Sequence, residues 1–210
     1  MSSTGVSKQA KLIGDEIWKN QTVKINGELF ALTYGALVLQ LCDEFAYDYE
    51  RVNNKLEEMG YNIGVRIIEE FLCKSQISRC KDIKDTAEYI SKVGFKMFLN
   101  ITPTITGWSK DNREFTLQFI DNPLSEFVEL PEDEIDQVEI IDELAIKRKD
   151  ARKKLWYSNI LVGVLKGALE MVQLDCEVSW ISDALRGDES TLMRVKFVKV
   201  LKDEIPAGED

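Results

Sequence analysis

The chain has 210 residues, with 37 Asp and Glu against 27 Lys and Arg and a formal net charge of −10. That length makes one domain, or at most two small ones, and buries roughly 70% of the extended-chain surface without needing disulfide or metal staples. With 44% hydrophobic and 30% charged residues it reads as an ordinary globular protein, and its acidity argues against a nucleic-acid binder, whose affinity rests on a basic footprint.

Residues 1–24 are polar and weakly helical from Lys8 to Trp18, so they read as a partly flexible N-terminal extension. The domain proper spans 25–202. Its first helix, Glu28–Glu44, carries a broad apolar arc through Leu29, Leu32, Ala36 and Leu39, flanked by Phe30, Leu37 and Leu41; burial on more than one side is expected. Arg51–Lys74 repeats Val52, Leu56, Met59, Ile63, Ile67 and Phe71 at steps of three and four, a helical period. Ile83–Leu99 is a third helix with Ala87, Ile90, Val93 or Gly94, and Met97 inward, ended by Asn100 and Pro103.

The period then changes to two. Ile101–Ser109 reads as a strand, and Phe115, Leu117 and Phe119 alternate along a second one beyond the turn at Lys110-Asp111-Asn112. Phe127–Leu130 is short and extended. From Glu129 to Glu143 there are eight acids and no base, and from Lys147 to Lys154 six bases and one acid. Such a segment cannot offset its own ordering entropy, so 131–152 reads as a flexible charged insertion or a solvated helix. Trp156–Leu174 is a helix apolar around most of its circumference. Cys176, Val178, Trp180 and Met193, Val195, Phe197 then mark two strands around Arg186-Gly187-Asp188. The order gives an α+β single domain, with helices packed on an antiparallel sheet.

Catalytic chemistry finds little to use. There is no histidine, which removes imidazole catalysis, histidine triads and His-bearing zinc sites. Neither a phosphate-cradling glycine loop nor a dinucleotide fingerprint is present. The adjacent acids Asp43-Glu44, Glu57-Glu58 and Glu69-Glu70 read as solvated helix faces. No catalytic residue and no metal ligand is named.

No apolar leader precedes the domain, so reduced thiols in the cytosol are expected. Cys42, Cys73 and Cys176 read as small core hydrophobes. Cys80 differs, because it lies between two helices, flanked by Arg79 and Lys81, just before a helix start. Both features favour the nucleophilic thiolate; a loop cysteine without a role is the other reading. The glycine pairs Gly60/Gly64 and Gly163/Gly167 also admit two readings, close helix packing or space for a ligand beside the helices.

Several blocks resemble one family. They are LTYGALV (32–38), MGYNIGVR (59–66), ITPTITGW (101–108), NPLSEFVELP (122–131), WYSNILVGVLKGALEMVQLD (156–175) and DEIPAGED (203–210). Together they are similar to the blocked-early-in-transport-three small subunits of the transport protein particle (TRAPP), fungal type, over nearly the whole chain. The resemblance implies an α/β-plait of helices on a twisted antiparallel sheet. It implies a homodimer in isolation, or a heterodimer with a related small subunit, packed through the first two main helices. It also implies a hydrophobic channel holding a covalently bound acyl chain, typically palmitate, thioester-linked to Cys80 in its Arg79-Cys80-Lys81-Asp82 context. Gly94 matches a small channel residue of the family; Met97, Val164 and Ala168 are added as channel lining from helix facing. At ~0.8 kcal/mol per methylene, a palmitoyl chain carries on the order of 11 kcal/mol of burial; a chain that the protein encloses becomes core material and is unavailable as a membrane anchor.

The implied function is a non-catalytic subunit of a vesicle tether in transport from endoplasmic reticulum to Golgi, whose assembled complex exchanges guanine nucleotide on a Rab-type GTPase. The expected location is the cytoplasm, peripheral at cis-Golgi and endoplasmic reticulum membranes through the complex. The C-terminal tail, with Asp203, Glu204, Ile205, Pro206, Glu209 and Asp210, is the expected GTPase contact; a frayed acidic terminus is the other reading. A stand-alone lipid or small-ligand binding protein is the alternative function. The charged insertion departs from the family pattern in being longer than the usual link.

Overall fold

In a computed structural model, residues 3–77, 80–131, 148 and 150–201 are described. Most of the charged insertion 131–152 (residues 132–147 and 149) and the residues from 202 to 210 lie outside them. Four antiparallel strands in the order β1-β2-β4-β3 form one sheet, and helices cover one face of it. They are β1 (Thr104–Thr106), β2 (Glu114–Phe119), β3 (Leu174–Ser182) and β4 (Thr191–Val200).

The period-two pattern produces the buried face directly. Phe115 pairs with Val195 and Leu117 with Met193, while Val178 and Trp180 pair with the same two β4 residues from the other side. All six are buried. On the opposite face Lys196 meets Glu177 at 3.0 Å. The first strand is shorter than its sequence suggests, because Pro103 has no N–H for the ladder and Gly107 turns the chain at φ +60°.

The helices are α1 (Ser3–Asn20), α2 (Gly27–Glu44), α3 (Tyr49–Ser75), α4 (Ile83–Tyr89), α5 (Phe95–Leu99), α6 (Ala151–Lys154) and α7 (Ile160–Met171). A π-turn, Ile90–Gly94, makes α4 and α5 one continuous rod. Side-chain caps set several starts: Asn26 accepts from the Leu29 N–H, Asp48 from Arg51 and Asp82 from Asp85. The last helix begins later than its apolar run. Asn53 of α3 takes the Trp156 N–H at 2.9 Å and gives its amide to the Lys154 carbonyl at 2.8 Å, so the chain is held extended at Leu155 and enters α7 through a turn at Tyr157–Asn159.

Both glycine pairs resolve as close packing. A Cβ on Gly60 or Gly64 would overlap the carbonyl oxygens of Ile160 and Val164; one on Gly163 or Gly167 would overlap those of Glu57 and Tyr61. Helices α3 and α7 therefore cross backbone against backbone, a contact that any larger residue would hold apart.

Two expectations are corrected. Residues 3–20 form a docked helix, not a loose extension, because Val6, Ala10, Gly14 and Ile17 recur at steps of three and four and are buried. A single chain buries only one stripe of α2: Leu29, Leu32 and Leu39 are 63%, 61% and 57% exposed. Among the described residues, no helix is long and apolar enough to cross a membrane.

Candidate functional site: an apolar cavity beside Cys80

Between α2, α3, the α4–α5 rod and α7 lies a cavity of about 1240 Å³. That exceeds the roughly 300–1,000 Å³ usual for a small-ligand site. Its wall is almost wholly apolar: Ile67 and Phe71 come from α3, Phe98 from α5, and Leu161 and Leu165 from α7. Polar groups gather where Cys80, Lys81, Asp82 and Thr86 join the wall. A lining so largely apolar favours a hydrocarbon chain with its polar end near Cys80.

The structure places Cys80, Gly94, Val164 and Ala168 on this cavity. Met97 is elsewhere. It is fully buried with Ala10, Ile17 and Val93 on the far side of the rod. The reason is that the rod is buried on two faces, whereas the sequence reading gave it one. Phe98, four residues after Gly94, shares the cavity face, and Met97, three residues after, falls on the α1 side. The tail residues Asp203, Glu204, Ile205, Pro206, Glu209 and Asp210 lie outside the described residues, as does Arg79.

The sequence reading missed much of the wall. Phe71, Tyr89, Ile90 and Phe98 were legible as apolar helix positions, but nothing in their spacing distinguishes a residue facing a void from one facing a neighbour. Gly94 faces open space, with a Cβ there meeting only ordinary contacts at 3.8 Å from the Tyr89 carbonyl oxygen and 3.9 Å from the Phe71 ring. A larger side chain would extend into the cavity.

The thiol itself corrects an expectation. Burial pushes Cys80 above its ordinary value; a hydrogen bond with Thr86 opposes that shift, while the carboxylates of Asp85 and Asp82 add to it. The helix start is already occupied, since Asp82 accepts the Asp85 N–H at 2.8 Å and Thr86 donates to the Asp82 carbonyl at 3.0 Å. Burial and the two carboxylates thus oppose thiolate formation at Cys80. Its chemistry depends on what the cavity holds beside it, since a bound chain raises the local concentration of its own head group. Of the remaining cysteines, Cys42 is buried, Cys176 is half-buried and Cys73 is exposed, so Cys73 is not core material.

The family model for the transport protein particle (TRAPP) component matches residues 30–196, from within α2 to within β4. The chain belongs to the TRAPP component family. It is 53% identical to the trafficking protein particle complex subunit BET3 of Saccharomyces cerevisiae over 210 residues, the whole of both chains. Identity to the transport protein particle subunit bet3 of Schizosaccharomyces pombe is 49%, over 94% of this chain and 97% of that one. A crystal structure of trafficking protein particle complex subunit 3 from Naegleria fowleri, covalently bound to palmitic acid, superposes with a TM-score of 0.74 at 42% identity. That match covers 86% of this chain and 100% of that one. The α+β architecture is therefore that of TRAPP small subunits, of the blocked-early-in-transport-three type. Helix α1 lies ahead of the stretch that the TRAPP family model matches.

Proposed function

We propose that this TRAPP subunit is a scaffold component of the tether acting between endoplasmic reticulum and Golgi, and that it carries a palmitoyl chain on Cys80, folded into its own cavity. The observation that carries the acyl reading is the convergence of one half-buried cysteine with an apolar void of about 1240 Å³. Palmitic acid in the related Naegleria subunit supports it. Enclosure in the cavity removes such a chain from water, burial worth on the order of 11 kcal/mol, and leaves it unavailable as a bilayer anchor. Membrane contact then comes through the assembled complex.

Scaffolding is favoured over a stand-alone lipid carrier by α2. From Leu29 to Cys42 that helix has no charged residue, and its Leu29, Leu32 and Leu39 are exposed in the single chain. Depletion of charge at the centre of an apolar patch is the composition of a subunit interface. A related small subunit, or a second copy, packs there through α2 and α3. Nucleotide exchange on a Rab-type GTPase is assigned to the complex, with the acidic tail at 203–210 as the contact; trimming that tail slows exchange by the reconstituted complex and leaves assembly intact.

The deciding experiment is intact mass combined with native purification. Wild-type protein carries an acyl adduct and co-purifies with other TRAPP subunits. Cys80→Ser loses the adduct and keeps the subunits. Wild-type mass equal to the bare chain ends the acyl reading, and a solitary chain with an exchangeable ligand makes it a carrier.

A further inference from the structure

Helix α1 lies ahead of the stretch matched by the TRAPP family model, yet it is closely built into the domain. Ala10 and Ile17 form a small core with Val93 and Met97. Gly14 lies so near the π-turn that a Cβ there would overlap the Lys92 carbonyl oxygen. The Lys92 ammonium, paired with Glu88 at 2.6 Å, also donates to the Ser7 hydroxyl.

Besides Ile13 of α1 itself, four further side chains pack on this core: Phe71, Ile77, Tyr89 and Phe98. The same four line the cavity. Each therefore has one flank against the α1 core and the other against the void. Between α1 and any cavity occupant there is a wall one side chain thick. At the thiol end the wall is Tyr89, close enough for charge on Cys80 to act on its hydroxyl. The π-turn repeats the arrangement, turning Val93 to the α1 core and Ile90 and Gly94 to the cavity.

We propose that α1 is the back wall of the Cys80 site, and that Ala10 and Ile17, touching nothing in the cavity, are positioning residues that set its width. Close-packed interiors transmit a volume change until it reaches free space. Here the nearest free space is the cavity. An added side chain behind Tyr89 and Phe98 drives them inward; a deletion lets them retreat. The assignment of an acyl chain to the cavity rests on the proposed function above, whereas the wall itself rests on packing alone.

Two variants with opposite signs test the wall in the full chain. After hydroxylamine treatment, Cys80 is alkylated with N-methylmaleimide or the wider N-cyclohexylmaleimide, and exposed Cys73 serves as the internal reference. Ala10→Leu lowers the cyclohexyl-to-methyl rate ratio at Cys80 by about fivefold, the factor expected from the strain of modest overpacking. Ile17→Ala raises it, Ile17→Val falls between, and the ratio at Cys73 stays unchanged in all three. In native protein the ratio of oleoyl to palmitoyl adduct moves in the same directions, because a bent chain needs the wider space. Unchanged Cys80 ratios in both variants, or shifts of the same sign as general loosening would cause, overturn the proposal. A wild-type chain with no acyl adduct counts against the acyl reading instead, and the alkylation ratios still decide the wall.

Discussion

Helix α7 has two neighbourhoods that are built by opposite means. Toward Glu57 and Tyr61 of α3 it presents Gly163 and Gly167, and the two backbones touch. Toward α2 and the α4–α5 rod it presents Leu161, Val164, Leu165 and Ala168, and there the helices stand apart around a large void. On α7 the glycines seal, whereas Gly94 of the rod does leave room beside the void. Helices separated by large side chains keep a gap unless something fills it, and a gap lined with hydrocarbon is costly to leave to water.

Substitutions can sharpen that contrast. The largest effect belongs to the sealed side. Gly163→Ala must push α3 and α7 apart, costing about 3 kcal/mol at the upper end of overpacking, which lowers Tm by roughly 6–12 °C in a domain of this size. A Tm within a degree of wild type breaks the comparison. At Gly94, on the enclosing side, the same Gly→Ala change has the opposite sign. Its backbone is helical at φ −62°, ψ −60°, and the Cβ meets only ordinary contacts, so Gly94→Ala stabilises by about 0.5–1 kcal/mol. Gly94→Leu removes the acyl mass while the protein stays folded; a Leu variant as fully acylated as wild type would mean that the chain runs elsewhere. The smallest effect is a pH slope. Only the thiolate reacts and burial raises the Cys80 pKa, so its alkylation climbs about tenfold per pH unit between roughly pH 7 and 9. A plateau below pH 8 would show an activated thiolate.

Much of this architecture is legible in residue order. The alternation of Phe115, Leu117 and Phe119, and of Met193, Val195 and Phe197, marks the paired central strands because a buried sheet face needs every second residue apolar. The stripe from Val52 to Phe71 marks α3. Cys80, Gly94, Val164 and Ala168, residues that resemblance and helix facing assign to a channel, all border one cavity. The readings that failed share a cause. Met97 was assigned to the channel because the α4–α5 rod was given one buried face, and α1 was set aside because Lys8–Trp18 looks polar on average. The buried stripe Val6, Ala10, Gly14, Ile17 was the missed signal, hidden by the small side chains of Ala10 and Gly14.

Residue order by itself determined which segments are helix or strand, which faces are greasy, and which cysteine stands at a helix entrance, since these depend on period and on near neighbours in the chain. Tertiary structure alone decided that Cys80 is half-buried with the carboxylates of Asp82 and Asp85 near it, that the glycine pairs close a helix crossing, and that a void opens on the other side of α7. Burial, electrostatic environment and empty space belong to surfaces contributed by distant segments, and no local pattern records which surfaces will meet.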